Sequence, residues 1–313
     1  MTLETIAKSI IPRSARRKIR ELVRDLRVKE LRSVDELDAE LAQAEAAFLL
    51  GEEAGRKALA SFRLRFPRNL PADPHSEAYR QAQFALYQMI SGRTDYAVEN
   101  ELTPFDLPQA LKSPFPHQTG SAQVVGEQLL AQGFLFQSFP LNPPARVLEF
   151  GPGWGNTTLH LLQLGYQVTA VEIDPKFIAL IESRAADFKD RLSLVHSDML
   201  TFSSEKQFDA ILFFESFHHC ADHVEMLRRV KRWVRPGGWL VLASEPISNF
   251  PYPWGVRLDG LSLWSMRRYG WLELGFNSAY LLGLLEQQGW SVERKQQPAL
   301  GAIADVILAR RES

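Results

Sequence analysis

The sequence predicts an α/β protein built around a doubly wound, mostly parallel sheet, with a C-terminal antiparallel hairpin and a helical N-terminal extension. The sheet is predicted by short apolar runs such as Val147–Phe150 and Phe208–Glu215, which are typical of strands buried on both faces. Helical segments separate these runs, as expected when crossover helices join parallel strands. The hairpin is predicted near the end of the chain, where Trp290–Gln296 and Ala302–Ala309 have the pattern of two strands with a short connection.

The N-terminal extension divides into a basic half and an acidic half. Residues 8–32 carry ten basic and three acidic side chains, whereas residues 33–55 carry seven acids and no base. Apolar residues recur at helical spacing in both halves, and Ser33–Glu36 can cap the second helix. The recurring residues are Ile19, Leu22, Val23 and Leu26 in the first half, and Leu37, Leu41, Ala44 and Phe48 in the second.

Two interpretations of these helices follow from their charge. In the first, residues 1–55 form a charged hairpin or a contact between the subunits of a homo-oligomer, in which opposite charges neutralise each other. In the second, the basic amphipathic helix lies on an anionic membrane surface. Nucleic acid is disfavoured as a partner, because no aromatic residue interleaves the bases before Phe48 and the net charge of the chain is −1.

The segment before the sheet is rich in proline and contains one predicted helix, Ser76–Ile90. Another helix begins near Ala122, directly after a turn formed by Thr119, Gly120 and Ser121. Because backbone N–H groups at a helix N-terminus favour anions, this turn is a candidate for binding a ligand carboxylate. The alternative is a plain helix cap, a position that serine serves well.

A glycine loop follows the first strand of the sheet. Gly151-Pro152-Gly153-Trp154-Gly155 comes directly after Val147–Phe150 and precedes a helix that starts near Asn156. Glycines allow the backbone to turn sharply and to bring its N–H groups against a ligand at a helix N-terminus. Glu172 lies nineteen residues after Gly153, at the end of the second strand, where an acid can bind the hydroxyls of a ribose. Loop and acid together predict a nucleotide-cofactor cleft.

The remaining strands complete the sheet. Leu192–Met199 and Phe208–Glu215 are the predicted third and fourth strands, and Leu227–Val234 is the helix that follows. Arg235–Leu242 contains a turn and the fifth strand, since Pro236 stops a helix and the two glycines after it allow a sharp change of direction.

The segment E-F-G-P-G-W-G-N-T closely resembles the first motif of the class I S-adenosylmethionine-dependent methyltransferases, and the resemblance extends over about residues 118–310. It implies a Rossmann-like fold and the cofactor S-adenosyl-L-methionine, with S-adenosyl-L-homocysteine as product. It also implies that the loop binds the methionine part, Glu172 the ribose, and Asp198 the region of the adenine amino group. The expected cofactor-binding residues are Glu149, Gly151, Pro152, Gly153, Gly155, Glu172, Ile173, Asp198, Met199, Glu215, Thr119, Gly120 and Ser121.

Catalytic residues are expected at the carboxyl end of the fourth strand, where open α/β sheets bind ligands. His219 is the candidate general base on an acceptor hydroxyl, because the unperturbed pKa of histidine suits this role near neutral pH. His218 is the alternative base, and Glu215 is expected to orient an imidazole or the substrate. A structural role for the His-His pair remains open.

No metal is expected in the site. Glu215, His218, His219, Asp222 and His223 are ligand types, but His219 and His223 would share a helix face only if the helix began before Ala221-Asp222.

Residues 246–277 form an insertion after the fifth strand, where methyltransferases of this family commonly build a substrate lid. Its aromatic and charged side chains suit stacking on flat ligands and hydrogen bonding to hydroxyls, and Tyr252, Trp254, Arg257 and Asp259 are the candidate substrate residues. The alternative is a satellite hydrophobic cluster. Together with the charged N-terminus, the insertion loosely resembles methyltransferases of bacterial surface-glycan assembly.

Composition favours a cytoplasmic enzyme. The chain has no apolar run of membrane-spanning length, no signal-peptide core, and a single cysteine, Cys220, which excludes a disulfide framework within the chain. The predicted organisation is an extension over residues 1–113 and a methyltransferase domain over residues 114–313. The predicted function is O-methylation of a hydroxyl on a glycan or small molecule. The alternatives are N- or C-methylation of a metabolite and a non-catalytic scaffold that binds the cofactor.

Overall fold

The structure is a computed structural model that describes residues 28–65, 67, 69–112, 121–300 and 303–312. The predicted turn residues Thr119 and Gly120, and most of the predicted basic helix, lie outside the described residues. The described residues form two compact units, one within Met1–Arg68 and Leu258–Trp264, and the other within Asn69–Arg257 and Ser265–Ser313.

The first unit contains a short parallel strand pair and a helical hairpin. Strand β1 (Lys29–Leu31) pairs with β2 (Phe62–Leu64), and helices α1 (Leu37–Phe48) and α2 (Glu52–Leu59) lie between them in the chain. Gly55 lets the two helices approach closely, because a Cβ at this position would lie 2.3 Å from the Phe48 ring.

Two features of this unit differ from the helical expectation for the extension. Lys29–Leu31 is a strand, because it pairs in parallel with Phe62–Leu64. Ser33 makes no capping hydrogen bond, since a 3₁₀ turn over Val34–Glu36 intervenes before α1.

The second unit contains the central sheet and its helices. In chain order its elements are α3 (Glu77–Ser91), α4 (Leu107–Lys112), α5 (Ala122–Ser138), β3 (Arg146–Phe150), α6 (Asn156–Leu164), β4 (Gln167–Glu172), α7 (Pro175–Arg184), β5 (Leu192–His196), β6 (Phe208–Phe214), α8 (His223–Trp233), β7 (Val234–Ala243), β8 (Ile247–Ser248), β9 (Trp254–Val256), the end of α9 (Gly260–Arg268), β10 (Leu274–Asn277), α10 (Ser278–Gln287), β11 (Trp290–Gln296) and β12 (Asp305–Arg311). Ser76 and Ser121 cap α3 and α5 by accepting hydrogen bonds from backbone N–H groups.

The described strands form a seven-stranded sheet in the order β11-β12-β7-β6-β3-β4-β5. Strands β3 to β7 are parallel, and β12 and β11 continue the sheet as an antiparallel hairpin. The predicted fold class is therefore confirmed. Strand β3 lies between β4 and β6, so the strand order reverses beside its carboxyl end, where such sheets bind ligands. The buried side chains of Val147, Leu161 and Leu212 belong to the core against this sheet.

The Arg-Pro-Gly-Gly turn lies within a strand, contrary to the prediction that it precedes one. Strand β7 already pairs at Val234 with Phe208, and the next pair is Ala210 with Trp239. The intervening residues bulge outward beside Asp209. A Cβ on Gly238 would lie 2.9 Å from the Asp209 carbonyl oxygen, which explains the need for glycine there.

The insertion after β7 builds a small sheet in the order β8-β10-β9. Strand β10 pairs parallel with β8 and antiparallel with β9. Among the described residues, no helix is long and apolar enough to cross a membrane.

Candidate functional site

A cavity of about 290 Å³ opens at the carboxyl ends of the parallel strands. The loops after β3, β4, β5 and β6 line one part of it, and residues before α4 together with the insertion line the rest. The lining residues are Tyr96, Val98, Glu101, Thr103, Gly151, Gly153, Trp154, Val171, Glu172, Ile173, Phe177, Ser197, Asp198, Met199, Leu200, Glu215, Ser216, His219, Cys220, Ala221 and Trp271.

The glycine loop forms one wall of the cavity in a conformation that favours glycine. Gly151, Gly153 and Gly155 have φ angles of 62°, 52° and 74°. A Cβ on Gly151 would approach the Ser216 Cβ to 2.9 Å, whereas a Cβ on Gly153 would meet nothing within 4 Å. The space beside Gly153 is therefore open to a ligand.

Glu172 ties this loop to the second strand. Its carboxylate accepts backbone N–H hydrogen bonds from Gly153 at 3.0 Å, Ile173 at 2.8 Å and Asp174 at 2.9 Å. Burial raises the pKa of Glu172, although these hydrogen bonds favour its charged form. Among the described residues, Gly153 donates the one hydrogen bond found at Oε2, so this oxygen can accept another from a ligand hydroxyl.

Glu149 lies behind the loop rather than in the cavity lining. The Thr158 hydroxyl donates to its Oε2 at 2.5 Å. Burial raises the pKa of Glu149 to about 7, against the lowering effect of Thr158 and with a further increase from Glu172. Pro152 and Gly155 also do not line the cavity, and Gly155 precedes α6. Direct cofactor contact by these three residues stays a prediction.

Ile173, Asp198 and Met199 line the cavity beside the ends of β4 and β5. The Asp198 carboxylate accepts the backbone N–H of Leu200 at 2.7 Å and that of Thr201 at 3.1 Å. Asp198 therefore stabilises the turn after β5, and it also lines the cavity.

The segment after β6 begins with Glu215 in the left-handed backbone region, at φ 51°. Gln128 of α5 donates a side-chain hydrogen bond to Glu215 Oε2 at 3.0 Å. A non-glycine residue in this conformation is uncommon and is found preferentially at functional sites.

His218 is buried and does not line the cavity. Its Nδ1 lies 2.8 Å from Oε2 of Glu245, a fully buried carboxylate. Glu245 also accepts the backbone N–H groups of Ser216, Phe217 and His218 at 2.9, 2.8 and 3.1 Å. These contacts hold the 3₁₀ turn Phe217–His219 in place.

His219 lines the cavity and pairs with a carboxylate. Its Nδ1 lies 3.2 Å from Glu101 Oε2, and the other oxygen of Glu101 accepts the Leu272 N–H at 2.8 Å. Burial lowers the pKa of His219, but Glu101, Glu273 and Glu245 outweigh it and raise the pKa to about 9. The imidazole is therefore protonated at neutral pH. Its pKa lies above the value of an unperturbed histidine.

The described residues bring ligand atoms of His218, His219 and Glu273 within 4.8 Å of one another, a grouping that can hold a metal ion. Each of the three has a protein partner, since Glu273 lies 3.4 Å from the Arg257 guanidinium. The charges of this cluster are thus compensated by protein groups.

The other two residues of metal-ligand type, Asp222 and His223, make structural contacts. Asp222 caps α8 by accepting the Glu225 N–H at 2.9 Å, and His223 contacts the Tyr280 hydroxyl at 2.9 Å. Burial lowers the pKa of His223 to about 3. That the site works without a metal stays a prediction.

The predicted substrate residues Tyr252, Trp254, Arg257 and Asp259 do not line the cavity. Tyr252 and Trp254 are buried, Arg257 pairs with Glu273, and Asp259 accepts a hydrogen bond from the Ser262 N–H at 3.2 Å near the start of α9. These contacts favour the packing interpretation, while a substrate role for the four stays untested.

Sequence reasoning missed the residues that complete the cavity: Tyr96, Val98, Glu101 and Thr103 precede α4, and Trp271 belongs to the insertion. The aromatic content of the insertion was a signal for Trp271. The segment around Glu101 carries no motif that would have pointed to it.

Part of the chain is similar to known proteins. Residues 148–242 match the family model described as a methyltransferase domain. The Ribosomal RNA small subunit methyltransferase A of Corynebacterium diphtheriae is 45% identical over 69 residues, or 21% of this chain and 23% of that protein. The 27-O-demethylrifamycin SV methyltransferase of Amycolatopsis mediterranei is 30% identical over 124 residues, covering 38% and 45% of the two chains. The chain thus spans less than half the length of these relatives.

Among solved structures, the N-methyltransferase NodS from Bradyrhizobium japonicum, in complex with S-adenosyl-L-homocysteine, is 19% identical, with 65% of this chain and 94% of NodS covered and a TM-score of 0.44. The glycopeptide N-methyltransferase MtfA is 21% identical, with 60% and 90% covered and a TM-score of 0.46. The match to the family model covers β3 to β7 with the glycine loop and Glu172, so the part of the chain that builds one end of the cavity is similar to a methyltransferase domain.

Proposed function

We propose that the protein transfers the methyl group of S-adenosylmethionine to a hydroxyl oxygen of a small molecule or glycan, with His219 as the general base. One observation carries this proposal. His219 lines the same cavity as Gly151, Gly153 and Glu172, so an acceptor beside its imidazole shares the space of the cofactor.

The residues present fit the cofactor. The open space at Gly153 suits the methionine part, Glu172 Oε2 can accept a ribose hydroxyl, and Ile173 and Met199 offer apolar contacts to a flat base. When bound, the cofactor supplies a methyl group on a sulfonium, which is a good leaving group. The protein must then align the acceptor and remove its proton.

His219 removes that proton in its neutral form. Since Nδ1 faces Glu101, Nε2 is the nitrogen left to exchange a proton with the acceptor. The bound cofactor would supply the methyl group to the acceptor oxygen and leave as the thioether, and the hydroxyl proton would pass to His219. Glu101 stabilises the resulting imidazolium. The pKa of about 9 makes the neutral imidazole a minor form at pH 7, so the rate should rise toward alkaline pH.

Oxygen is favoured over nitrogen or carbon as the methyl acceptor, because a hydroxyl must lose its proton to a base. His219 lines the cavity and can be this base, with Glu101 orienting its ring. The rifamycin enzyme is also an O-methyltransferase by its name. The acceptor is small under this proposal, and the protein acts in the cytoplasm. Residues 1–55 mediate either contact between copies of the chain or peripheral contact with a membrane.

The test is to incubate the protein and methyl-labelled S-adenosylmethionine with a cell extract, and to separate lipid, polysaccharide, protein, nucleic-acid and small-molecule fractions. We expect label in a small-molecule or polysaccharide fraction, as a methyl ether, and less label with Glu172→Ala when the cofactor is limiting. Label on nitrogen or carbon would contradict the oxygen assignment. A protein that binds S-adenosylhomocysteine but labels no fraction would be a scaffold.

A further inference from the structure

Two imidazoles and a carboxylate meet on the side of His219 that is away from the cavity. The rings of His218 and His219 lie side by side, with centroids 4.2 Å apart. Oε2 of Glu273 lies 3.9 Å from Nε2 of His218, and one ligand atom from each of the three residues lies within 4.8 Å of the others. His218 and Glu273 are buried and do not line the cavity, so the cluster lies behind His219.

The surroundings of His218 present one particular ring nitrogen to this cluster. Nδ1 lies 2.8 Å from Oε2 of the buried Glu245, and an ionised carboxylate only accepts hydrogen bonds, so Nδ1 carries the proton. The lone pair of the neutral ring is then on Nε2, which lies towards Glu273. Metal-binding histidines have such a carboxylate behind them, because it fixes the tautomer and the orientation of the ring.

His219 contributes a nitrogen that lacks a well-formed hydrogen bond. Its Nδ1 is shielded from solvent and has no hydrogen-bond partner among the described residues, although Oε2 of Glu101 lies 3.2 Å away and forms an ion pair with it. Buried polar atoms are nearly always hydrogen-bonded or bound to another partner. A metal ion beside Nδ1 would be such a partner.

The spacing of the ligand atoms suits a small dication. Two imidazoles and one carboxylate are ligands typical of Zn²⁺ and similar transition-metal ions. A tetrahedral ion with bonds of about 2.0–2.1 Å holds its ligand atoms about 3.3 Å apart. His218 Nε2 and Glu273 Oε2 are 3.9 Å apart, so they need to approach by roughly 0.6 Å for such bonds. Small rotations of the side chains close this gap.

The charge around the cluster also favours a cation. The carboxylates of Glu101, Glu245 and Glu273 surround the two rings. Arg257, 3.4 Å from Glu273, and the proton on His219 compensate them when no ion is bound. A dication can take the place of that proton, because metal ions bind imidazole in its deprotonated form and buried carboxylates need a positive partner.

We infer that His218, His219 and Glu273 form a binding site for one Zn²⁺-like dication, and that the bound ion inhibits the protein. An ion on Nδ1 of His219 leaves the proton of the neutral ring on Nε2, the nitrogen assigned to the acceptor. The ring then has no lone pair with which to remove a hydroxyl proton. The ion is thus an inhibitor rather than a cofactor, and the reaction does not need it. The inhibition rests on the proposed function, whereas the metal site does not.

Calorimetry with zinc chloride tests the site, on protein first treated with a chelator and then dialysed. We expect one tightly bound ion per chain. His218→Ala and Glu273→Gln each remove one ligand and should weaken Zn²⁺ binding by at least about tenfold, with the fold checked by circular dichroism. His75→Ala is the matched control, because this exposed histidine lies outside the cluster, and it should leave the tight binding unchanged.

Tight Zn²⁺ binding that persists in both folded ligand variants would overturn the inference, as would a lack of tight binding by the unsubstituted protein. The transfer assay separates this result from the proposed function. One equivalent of Zn²⁺ should slow methyl transfer at least about tenfold, and Glu273→Gln should need more Zn²⁺ for the same effect. Zn²⁺ bound at these residues without slower transfer would keep the metal site and refute both the inhibition and His219 as the base. Binding without any transfer to the extract would keep the site and remove the reaction.

Discussion

Replacing Glu101 by glutamine tests whether this carboxylate prepares His219 for catalysis. In the unsubstituted protein, Glu101 accepts the Leu272 N–H at 2.8 Å. Glutamine has nearly the same shape as glutamate and keeps an oxygen that can accept this hydrogen bond. The substitution removes only the negative charge 3.2 Å from His219 Nδ1. Burial then acts against a weaker opposing field from Glu273 and Glu245, so the pKa of His219 should fall from about 9 by at least one unit.

The free energy follows from the sign of this shift. The folded-state pKa of His219 is raised from 6.5 to about 9, so the pairing stabilises the fold fully below pH 6.5 and loses its effect as the pH rises through 9. The difference between the two pKa values corresponds to about 3 kcal/mol of stability. Of the groups that raise the pKa of His219, Glu101 has the largest effect. At pH 7 we expect Glu101→Gln to lower the free energy of unfolding by about 1–3 kcal/mol, and at pH 10 by much less.

Three measurements check this prediction: urea unfolding at pH 6, 7 and 10, NMR titration of the His219 ring, and the pH profile of methyl transfer. The rate of the wild-type protein should rise through a pKa near 9, and that of Glu101→Gln through a lower value. Glu99→Gln is the control, because Glu99 is exposed on the same 3₁₀ turn. An unchanged His219 titration in Glu101→Gln would refute the pairing. A changed titration with an unchanged rate profile would refute His219 as the base.

Other expected outcomes concern the cofactor, the base and the N-terminus. Glu172→Ala should weaken S-adenosylhomocysteine by about 1.5–3 kcal/mol in calorimetry, and a folded variant with full affinity would remove the ribose assignment. Gly153→Val should abolish this binding, because the side chain would fill the open space and strain a backbone with φ 52°. His219→Ala should lose about 10²–10⁴ in rate and keep cofactor affinity, whereas a comparable loss confined to His218→Ala would move the base by one residue. Removing residues 1–27 should alter the oligomeric state or abolish salt-sensitive pelleting with anionic vesicles, and no change in either assay would contradict both proposed contacts of the N-terminus.

The sequence predicted the part of the molecule in which local chemistry dictates local structure. Val147–Phe150, the glycines after it and Glu172 form the expected strand, loop and strand end, because buried parallel strands and left-handed turns each demand particular residue types. The terminal hairpin was predictable because two strand-like runs flank a short connection. Lys29–Leu31 was not predicted as a strand, since so short a strand depends on pairing with its partner β2.

The acceptor end of the cavity was beyond sequence reasoning for a different reason. Glu101 and Leu272 are far apart in the chain, and only the folded structure joins them through one hydrogen bond. The aromatic content of residues 246–277 did not show which of its members reach the cavity. Tyr252 and Trp254 are buried by packing, whereas Trp271 lines the cavity.

Under the proposed function, the two ends of the cavity belong to different parts of the chain. The end proposed for the cofactor is built from β3, β4 and β5, within residues 148–242 that match the methyltransferase domain. The other end is completed by Tyr96, Glu101 and Trp271, which lie outside that match. Substitutions in the family segment should therefore affect binding of S-adenosylhomocysteine, and substitutions at these three positions should affect acceptor choice and the pH dependence of transfer. Under this proposal, Glu101 couples acceptor binding to the basicity of His219, because it contacts both His219 and the Leu272 backbone.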